Sequence, residues 1–507
     1  MIKNILEYFE TTLAEVPNKP AVIEEEAEIT FSALAQKALS VAAILRRNFV
    51  GEICRPVAVF LPKSINCVAG DLGIVYSGNA YMNLDVKTPA QRISNILEQV
   101  QPLCVLTDEA HRADLTAIWP EEKILLIDGP LPLAGAEEER DIRQGLERVI
   151  DTDPLCLINT SGSTGTPKSV VLNHRSFIDF TQWAVSTTPI GKKEIIGSLS
   201  PSVFDIYSFE LCMMAARSST IVIIPDGLAA FPARILQLLE QRHITFLFWV
   251  PTIMVNIANM GLLEKIALPD LKMVWFAGEV FPTKQFNIWK KNLPDVVFVN
   301  LYGPIEITLD CTYFIVDRDI PDSEPIPIGR PCRNTDILIL NEENRPVGSG
   351  EEGELCVRGS SLAMGYYNNP EKTAAAFVQN PLNSAYPELI YRTGDLVCTN
   401  ERGEIVFRGR KDSMVKHSGY RIELGEIEHV IVNSLQLVKN GCAVYDYEEK
   451  EIVFFYESKD PLEVAMLRRE IGKQLPRYMI PSRFVYMAQL PRNTNGKIDR
   501  LKLKGEV

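Results

Sequence analysis

Short β-branched runs closed by turn residues alternate with longer helical patterns from Pro56 onward: Pro56 to Leu61, Leu155 to Ile158, Thr220 to Ile224, Ile244 to Val250, Lys272 to Ala277 and Val296 to Asn300. Between them, Ala230 to Arg242 sets Leu236, Leu238 and Leu239 at helical spacing. A chain written this way has few topologies open to it, because parallel strands need a crossover, usually a helix, and so the pattern predicts βαβ units and largely parallel sheets. The texture changes near residue 325. Ile326 to Arg358 and Leu389 to Arg410 consist of short strand-like pieces broken by turns, an antiparallel β region appended to the α/β body. After Asp412 it changes again: helices are expected over Leu424 to Val432 and Val464 to Gln474, with strands at Ile452 to Tyr456 and Phe484 to Met487. The expected fold is α/β, with a large N-terminal domain over 1–411 and a small α+β C-terminal domain over 412–507.

The 507 residues exceed what one hydrophobic core organises, in keeping with more than one domain around a cleft. A formal net charge of −13 argues against nucleic acid or an anionic membrane as the main partner, since phosphate binding needs Lys and Arg. The ten cysteines show no C-x-x-C pair and no Cys/His cluster at zinc spacing, which reads as buried thiols in a reducing compartment. Glu7, Glu10 and Glu15 interrupt the N-terminal apolar positions, unlike a signal peptide, and no apolar run nears the roughly 20 residues of a membrane span. A cytoplasmic location is expected.

Four segments carry chemistry. Thr160-Ser161-Gly162-Ser163-Thr164-Gly165-Thr166-Pro167-Lys168 follows one strand candidate and precedes another at Val170 to Leu172. Its glycines allow tight turns, and its hydroxyls, N–H groups and lysine offer donors to phosphate oxygens. Pro167 directly before the lysine excludes a Walker A loop. Leu301-Tyr302-Gly303-Pro304-Ile305-Glu306 ends the run Val296 to Asn300, where open α/β sheets place ligands; a tyrosine there can stack on a purine and a carboxylate can hold Mg²⁺. Tyr391 to Asp395 presents an acid suited to both hydroxyls of a ribose, and Asn495 to Arg500 displays Lys497 after a turn.

In this order the four resemble the acyl-adenylate-forming superfamily, which includes acyl-CoA synthetases, luciferases and the adenylation domains of nonribosomal peptide synthesis. Further family-like segments lie between them: Ser77 to Tyr81, Phe204-Asp205, Gly353 to Leu355 with Met364-Gly365-Tyr366, Gly409 to Asp412, Gly419 to Glu426 and Leu475 to Pro481. The resemblance spans nearly the whole chain and implies stacked α/β subdomains with a mobile C-terminal domain. It also implies that the loop from Thr160 to Lys168 holds the β- and γ-phosphates of ATP, that Tyr302 stacks on adenine within a nucleotide site including Gly278 and Gly303, and that Asp395 binds ribose with support from Arg410. Glu306 would ligate Mg²⁺, and Lys497 would bridge the carboxylate and the α-phosphate. His174 either lines the carboxylate side or begins a helix. Asp412 matches the hinge about which the small domain rotates, and Gly419 would then face a thiol channel. Two residues depart from the pattern: Ile305 replaces the usual threonine, a lost hydrogen bond of about 1.5–3 kcal/mol if nothing compensates, and Ser169 replaces a glycine.

Asp205 discriminates within the superfamily, because in amino-acid-activating members an aspartate at this place pairs with the substrate's α-ammonium group; its other reading is the cap of a helix starting at Ile206. Positions matching the side-chain pocket are Phe204, Ile206, Phe209, Phe248, Trp275, Ala277, Leu301, Leu309 and Asp310, which leave room for a compact aliphatic amino acid. Phe276 to Pro282 resembles free-standing enzymes that activate proline for loading onto a carrier protein, and D-alanine-activating enzymes share the layout. L-Proline is the favoured substrate, with D-alanine or another small amino acid as alternatives. Asp310 is awkward for either unless its carboxylate turns away and bonds to backbone. Seven residues follow Arg500, with no modifiable serine segment, so the acceptor is expected in trans: the phosphopantetheine thiol of a separate peptidyl carrier protein, or coenzyme A. The competing readings are an acyl- or aryl-CoA ligase of the same fold, and a catalytically silent nucleotide-binding protein.

Overall fold

The structure, a computed structural model, describes residues 2–161, 167–411, 414–458, 460–492 and 498–507, and the backbone alone at Leu501. Two large sheets share one layer of helices. The first has seven strands, in the order Gly365–Tyr366, Lys168–Asn173, Pro154–Thr160, Ala80–Leu84, Pro56–Phe60, Val105–Thr107 and Ile124–Leu126. The second has nine, with the parallel run Val297–Tyr302, Met273–Phe276, Phe246–Trp249, Ile195–Ser198, Thr220–Ile223 and Pro20–Glu24 flanked by antiparallel edges. Side chains alternate across each strand. Phe246 and Phe248 join the cluster between the sheets with Trp275, Val57 and Cys156, and helices Ile65–Tyr76, His174–Thr187 and Asp205–Arg217 pack there. Leu247 and Trp249 face the opposite way, under helices Pro232–Gln241, Pro251–Asn259 and Thr283–Asn292. Burial on both faces explains why these runs read as continuously apolar.

The pairing of Pro154–Thr160 with Lys168–Asn173 is antiparallel, against the largely parallel expectation. Segment 161–167 is too short for the crossover that parallel pairing requires, so the phosphate-loop candidate closes a hairpin.

Thr335–Leu340, Gly353–Gly359, Phe377–Gln379, Leu389–Thr399 and Ile405–Arg410 form the expected antiparallel sheet, with Ile405–Arg410 pairing on Leu389–Thr399. A register shift between Leu396 and Val397 leaves Asp395 opposite Arg410 at the end of this pair, an irregularity of the kind that re-aims a side chain. From Met414 onward, the described strands pair only with one another, as a hairpin of Met414–His417 with Tyr420–Glu423 and a three-stranded sheet of Asn440–Asp446, Glu451–Glu457 and Arg483–Met487. The two faces of that sheet differ. Ala443, Tyr445, Phe454 and Tyr456 pack with the hairpin residues Val415 and Ile422, whereas Cys442, Val444, Val453 and Phe455 pack with Ile498 and Leu503. The helix expected over Leu424 to Val432 is α-helical only over Leu424–Glu428 and widens to π geometry over His429–Ser434, where the consecutive Val430 and Ile431 are both buried.

Candidate active site

Strand Val297–Tyr302 runs out of the nine-stranded sheet into Gly303, and side chains from the antiparallel sheet and the C-terminal hairpin reach the residues that follow. The Tyr302 hydroxyl donates to Oδ2 of Asp395, which the antiparallel sheet brings in from 93 positions away. Arg410 donates to Oδ1 of Asp395 at 2.5 Å and to the Thr393 carbonyl at 3.1 Å. Burial and the adjacent Asp395 carboxylate hold the Tyr302 phenol well above its ordinary range, so it stays a donor. An aromatic ring, a carboxylate and a guanidinium are thereby brought together at the end of this strand.

Glu306 lies in the 3₁₀ turn Ile305–Ile307 and is 0% exposed. Its Oε1 accepts from the Tyr366 hydroxyl at 2.8 Å and its Oε2 from Arg421 at 2.5 Å. Burial raises its pKa, but the Arg421 charge and the Tyr366 bond outweigh that, leaving it below the usual carboxylate range and ionised. Lys168 stands 5.4 Å from the Tyr366 ring centre and 3.9 Å from Glu423, its pKa lowered by burial and then by Arg421. Ser161 donates to the Arg421 carbonyl at 2.7 Å and accepts from the Glu423 N–H at 3.0 Å, while Thr160 donates to the Lys168 carbonyl at 3.5 Å. Gly162, Ser163, Thr164 and Gly165 lie outside the described residues, as do Lys497 and Asp412.

The hairpin carrying Arg421 is therefore docked on the site. Gly419, at φ +82°, donates its N–H to Glu279 at 2.7 Å, and a Cβ there would meet Val250 at 3.2 Å. Tyr420 packs on Phe204 at 5.0 Å between ring centres, and Glu426 pairs with Arg92. Gly278, also left-handed at φ +90°, precedes that Glu279 acceptor.

Asp205 opens the helix Asp205–Arg217 and accepts from the Leu309 N–H at 3.0 Å. Burial pushes its carboxyl up to about 6 against these hydrogen bonds. Below it, Phe209 stacks on Trp275 at 5.4 Å and meets Phe248 edge-on at 5.9 Å, with Ile206, Ala277, Leu301 and Leu309 buried around them. Asp310 is 4% exposed, and burial and then Asp205 hold its carboxyl well above the usual range. Among the described residues it makes no side-chain hydrogen bond, so the expectation that it turns away onto backbone is not met. Gly303 makes this arrangement possible, because a Cβ there would fall 2.4 Å from the Leu309 carbonyl and 2.5 Å from Asp310 Cα.

The family model for AMP-binding enzymes matches residues 9–367. The chain belongs to the AMP-binding enzyme family. This AMP-binding enzyme is 32% identical over 513 residues to zwittermicin A synthase ZmaJ of Bacillus cereus, covering 98% of this chain and 94% of that protein. It is also 32% identical to a mycosubtilin synthase polypeptide of Bacillus subtilis, covering 99% of this chain but spanning only 19% of that longer protein. Its fold is similar to that of the Vibrio cholerae adenylation domain AlmE, solved in complex with glycyl-adenosine-5'-phosphate, with a TM-score of 0.85, 20% identity and coverage of 100% and 98% of the two chains.

His174 does not join the site of this AMP-binding enzyme. It begins the helix His174–Thr187 at the far end of strand Lys168–Asn173 from Lys168, at about 3.3 Å of rise per residue, and its Nδ1 accepts from the Ile5 N–H at 3.3 Å. Burial drives its pKa down to about 3, a neutral core histidine. Conversely, Tyr366, Glu279 and Arg421 lie in motif segments that assign them no role, and Lys416, whose ammonium stands 5.7 Å from the Tyr302 ring centre, carries no sequence signal. Ser169, the departure from glycine, donates to Asn159 at 2.7 Å within an ordinary strand pair.

Among the described residues no group of three or more acidic, histidine or cysteine side chains could hold a metal ion, and both oxygens of Glu306 are engaged by Tyr366 and Arg421. Magnesium is commonly held by a single carboxylate together with substrate phosphates, and Glu306 could supply that carboxylate once Arg421 releases it. No helix is long and apolar enough to cross a membrane among the described residues.

Proposed function

We propose that this AMP-binding enzyme adenylates the carboxylate of a small amino acid with ATP, releases pyrophosphate, and passes the aminoacyl group to the phosphopantetheine thiol of a separate carrier protein. The observation that carries this reading is Asp205: a carboxylate fixed by the Leu309 N–H above an aromatic-walled pocket, beside the nucleoside-like constellation of Tyr302, Asp395 and Arg410. Ionised, Asp205 pairs with an α-ammonium group and turns the substrate carboxylate toward the nucleotide. Oriented attack on the α-phosphorus then needs positive charge where negative charge accumulates, the role the resemblance assigns to Lys497. For the second step, the hairpin presents Gly419 where a side chain would crowd Val250, which suits approach of a thiol arm.

L-Proline, favoured from the sequence, is compact and apolar like the aromatic and aliphatic residues around Asp205, but brings no hydrogen-bond donor on its side chain for Asp310. A CoA ligase acting on fatty or aryl acids is disfavoured because such acids bring no ammonium to Asp205. The test is pyrophosphate exchange into ATP with magnesium, measured for the twenty amino acids, D-alanine, and representative fatty and aryl acids. Exchange with amino acids alone is expected. Exchange with the simple acids instead supports the CoA ligase, and nucleotide binding without any exchange supports the silent protein.

A further inference from the structure

Helix Asp205–Arg217 lies between the two large sheets, and every residue from Ile206 to Ala215 is buried. A helix enclosed on all sides has no single apolar stripe to set its rotation, because apolar burial is non-directional. Its start has no side-chain cap either, since the residue ahead of Asp205 is Phe204. Yet Asp205 must point at the α-ammonium group of the substrate for the proposed reaction to work, so directional bonds from outside the helix have to fix its first turn.

Those bonds come from helix Ile65–Tyr76 and strand Ala80–Leu84. Asp71 is 0% exposed, and its Oδ2 accepts from the Tyr207 hydroxyl at 2.7 Å and from the Asn83 amide at 3.1 Å. Asn83 also donates to the Ser202 carbonyl at 3.2 Å. Tyr207 follows Asp205 by two positions and Ser202 precedes it by three, so one carboxylate oxygen is tied to the chain on both sides of Asp205. Upstream, Lys63 donates to the carbonyls of Ser198 and Ser200, each at 2.8 Å. Downstream, Tyr81, which shares a strand face with Asn83, donates to Ser208 at 2.8 Å.

The carboxylate is a costly choice for this place. Burial raises Asp71 to about 7 against the bonds from Tyr207, Asn83 and Cys67, and its Oδ1 has no partner among the described residues. Apolar side chains in place of both Asp71 and Tyr207 would avoid that cost, so packing alone does not account for the pair.

We infer that Asp71 is a positioning residue for Asp205, acting through Tyr207 and Asn83 to hold the helix start in the orientation that presents Asp205 to the substrate's α-ammonium group. This rests on the proposed amino-acid adenylation and adds to it a residue outside every motif segment of the chain.

Pyrophosphate exchange tests it with two substrates: the best of the twenty amino acids and D-alanine, and the same acid with its α-amino group replaced by hydrogen, or by CH2 in the ring of proline. The amine-free acid does not use Asp205, so the ratio of the two kcat/KM values reads how well Asp205 is placed. Asp71→Leu is expected to lower that ratio about 10- to 100-fold, the scale of a small misplacement at a reacting site, through a higher KM for the amino acid with KM for ATP unchanged. Asp71→Asn keeps an oxygen for both donors and retains most of the ratio. Tyr207→Phe removes one bond but leaves the ring, lowers the ratio in the same direction, and carries the test should Asp71→Leu fail to fold. In an Asp205→Ala background, Asp71→Leu produces no further fall. Equal slowing of both acids, the mark of a merely loosened core, overturns the inference while leaving amino-acid adenylation standing, and so does a further fall in the Asp205→Ala background. Absence of exchange with every amino acid in the wild-type enzyme removes the underlying reading itself.

Discussion

The Arg421 guanidinium reaches Glu306 at 2.5 Å across 115 positions of chain, joining the C-terminal hairpin to the 3₁₀ turn Ile305–Ile307 beyond strand Val297–Tyr302. Glu306 is 0% exposed and Arg421 holds its charge, so the pair is a buried one whose halves are costly apart. Arg421→Ala is expected to destabilise the docked arrangement by about 3–5 kcal/mol. Adding Glu306→Gln should recover part of that loss, because the stranded charge is removed. A double-mutant cycle in denaturant unfolding measures it, and strictly additive effects would show that the pair is not coupled.

The same pair predicts an effect on magnesium. If Glu306 ligates the ion during adenylation, Arg421 and magnesium compete for one carboxylate. Arg421→Ala should then lower the magnesium concentration giving half-maximal pyrophosphate exchange. An unchanged or higher requirement would place the metal elsewhere.

Asp205 titrates at about 6 because burial outweighs its hydrogen bonds. Its ammonium-binding form is the ionised one, so kcat/KM for exchange should fall about tenfold per pH unit below 6. Stability runs the other way. A folded pKa raised above the unfolded value of about 3.9 means that the native state holds the extra proton, and this contribution is complete below that value and lost as pH rises through 6. Asp205→Asn should remove the pH-dependent part of both curves.

His174 is depressed to about 3 by burial, from an unfolded value near 6.5. Its neutral form stabilises the fold fully above pH 6.5, and that contribution drains away as pH falls toward 3. His174→Leu should leave the Ile5 N–H unpaired at a cost of about 1–3 kcal/mol, flatten the loss of melting temperature between pH 7 and 5, and leave kcat for exchange near wild type. A collapse of kcat in a folded variant would return His174 to the chemistry.

Gly419 sits at φ +82° against Val250, so Gly419→Val adds backbone strain and a clash on the face proposed to admit the thiol arm. Aminoacyl transfer to a phosphopantetheine thiol should slow at least tenfold relative to exchange. Equal slowing of both steps would argue that the hairpin serves adenylation as well.

Much of this architecture is legible in the amino-acid order. Alternating strand and helix periods announce βαβ units and largely parallel sheets, and local motifs mark Tyr302 and Asp395, with Arg410 added by the family resemblance, which the fold then brings together. These are short-range signals: side-chain period follows from backbone geometry, and a motif carries its donors within a few residues. The antiparallel pairing around 161–167 is also implicit, since so short a link permits nothing else.

What the chain order leaves open is which distant groups share a small volume, because a buried charge takes its state from neighbours that folding brings to it. His174 follows the phosphate-loop candidate closely, yet one strand carries it to the other end of the sheet, where it becomes a neutral acceptor for Ile5. Arg421 reads as one cation among many until it faces Glu306. Asp310 reads as an awkward acid in an apolar pocket until the left-handed turn at Thr308 and Leu309 sets it beside Asp205. Periodicity and composition determined the layers, whereas pairing, protonation and pocket chemistry were decided only by packing, since electrostatic energies depend on separation and desolvation and not on sequence distance.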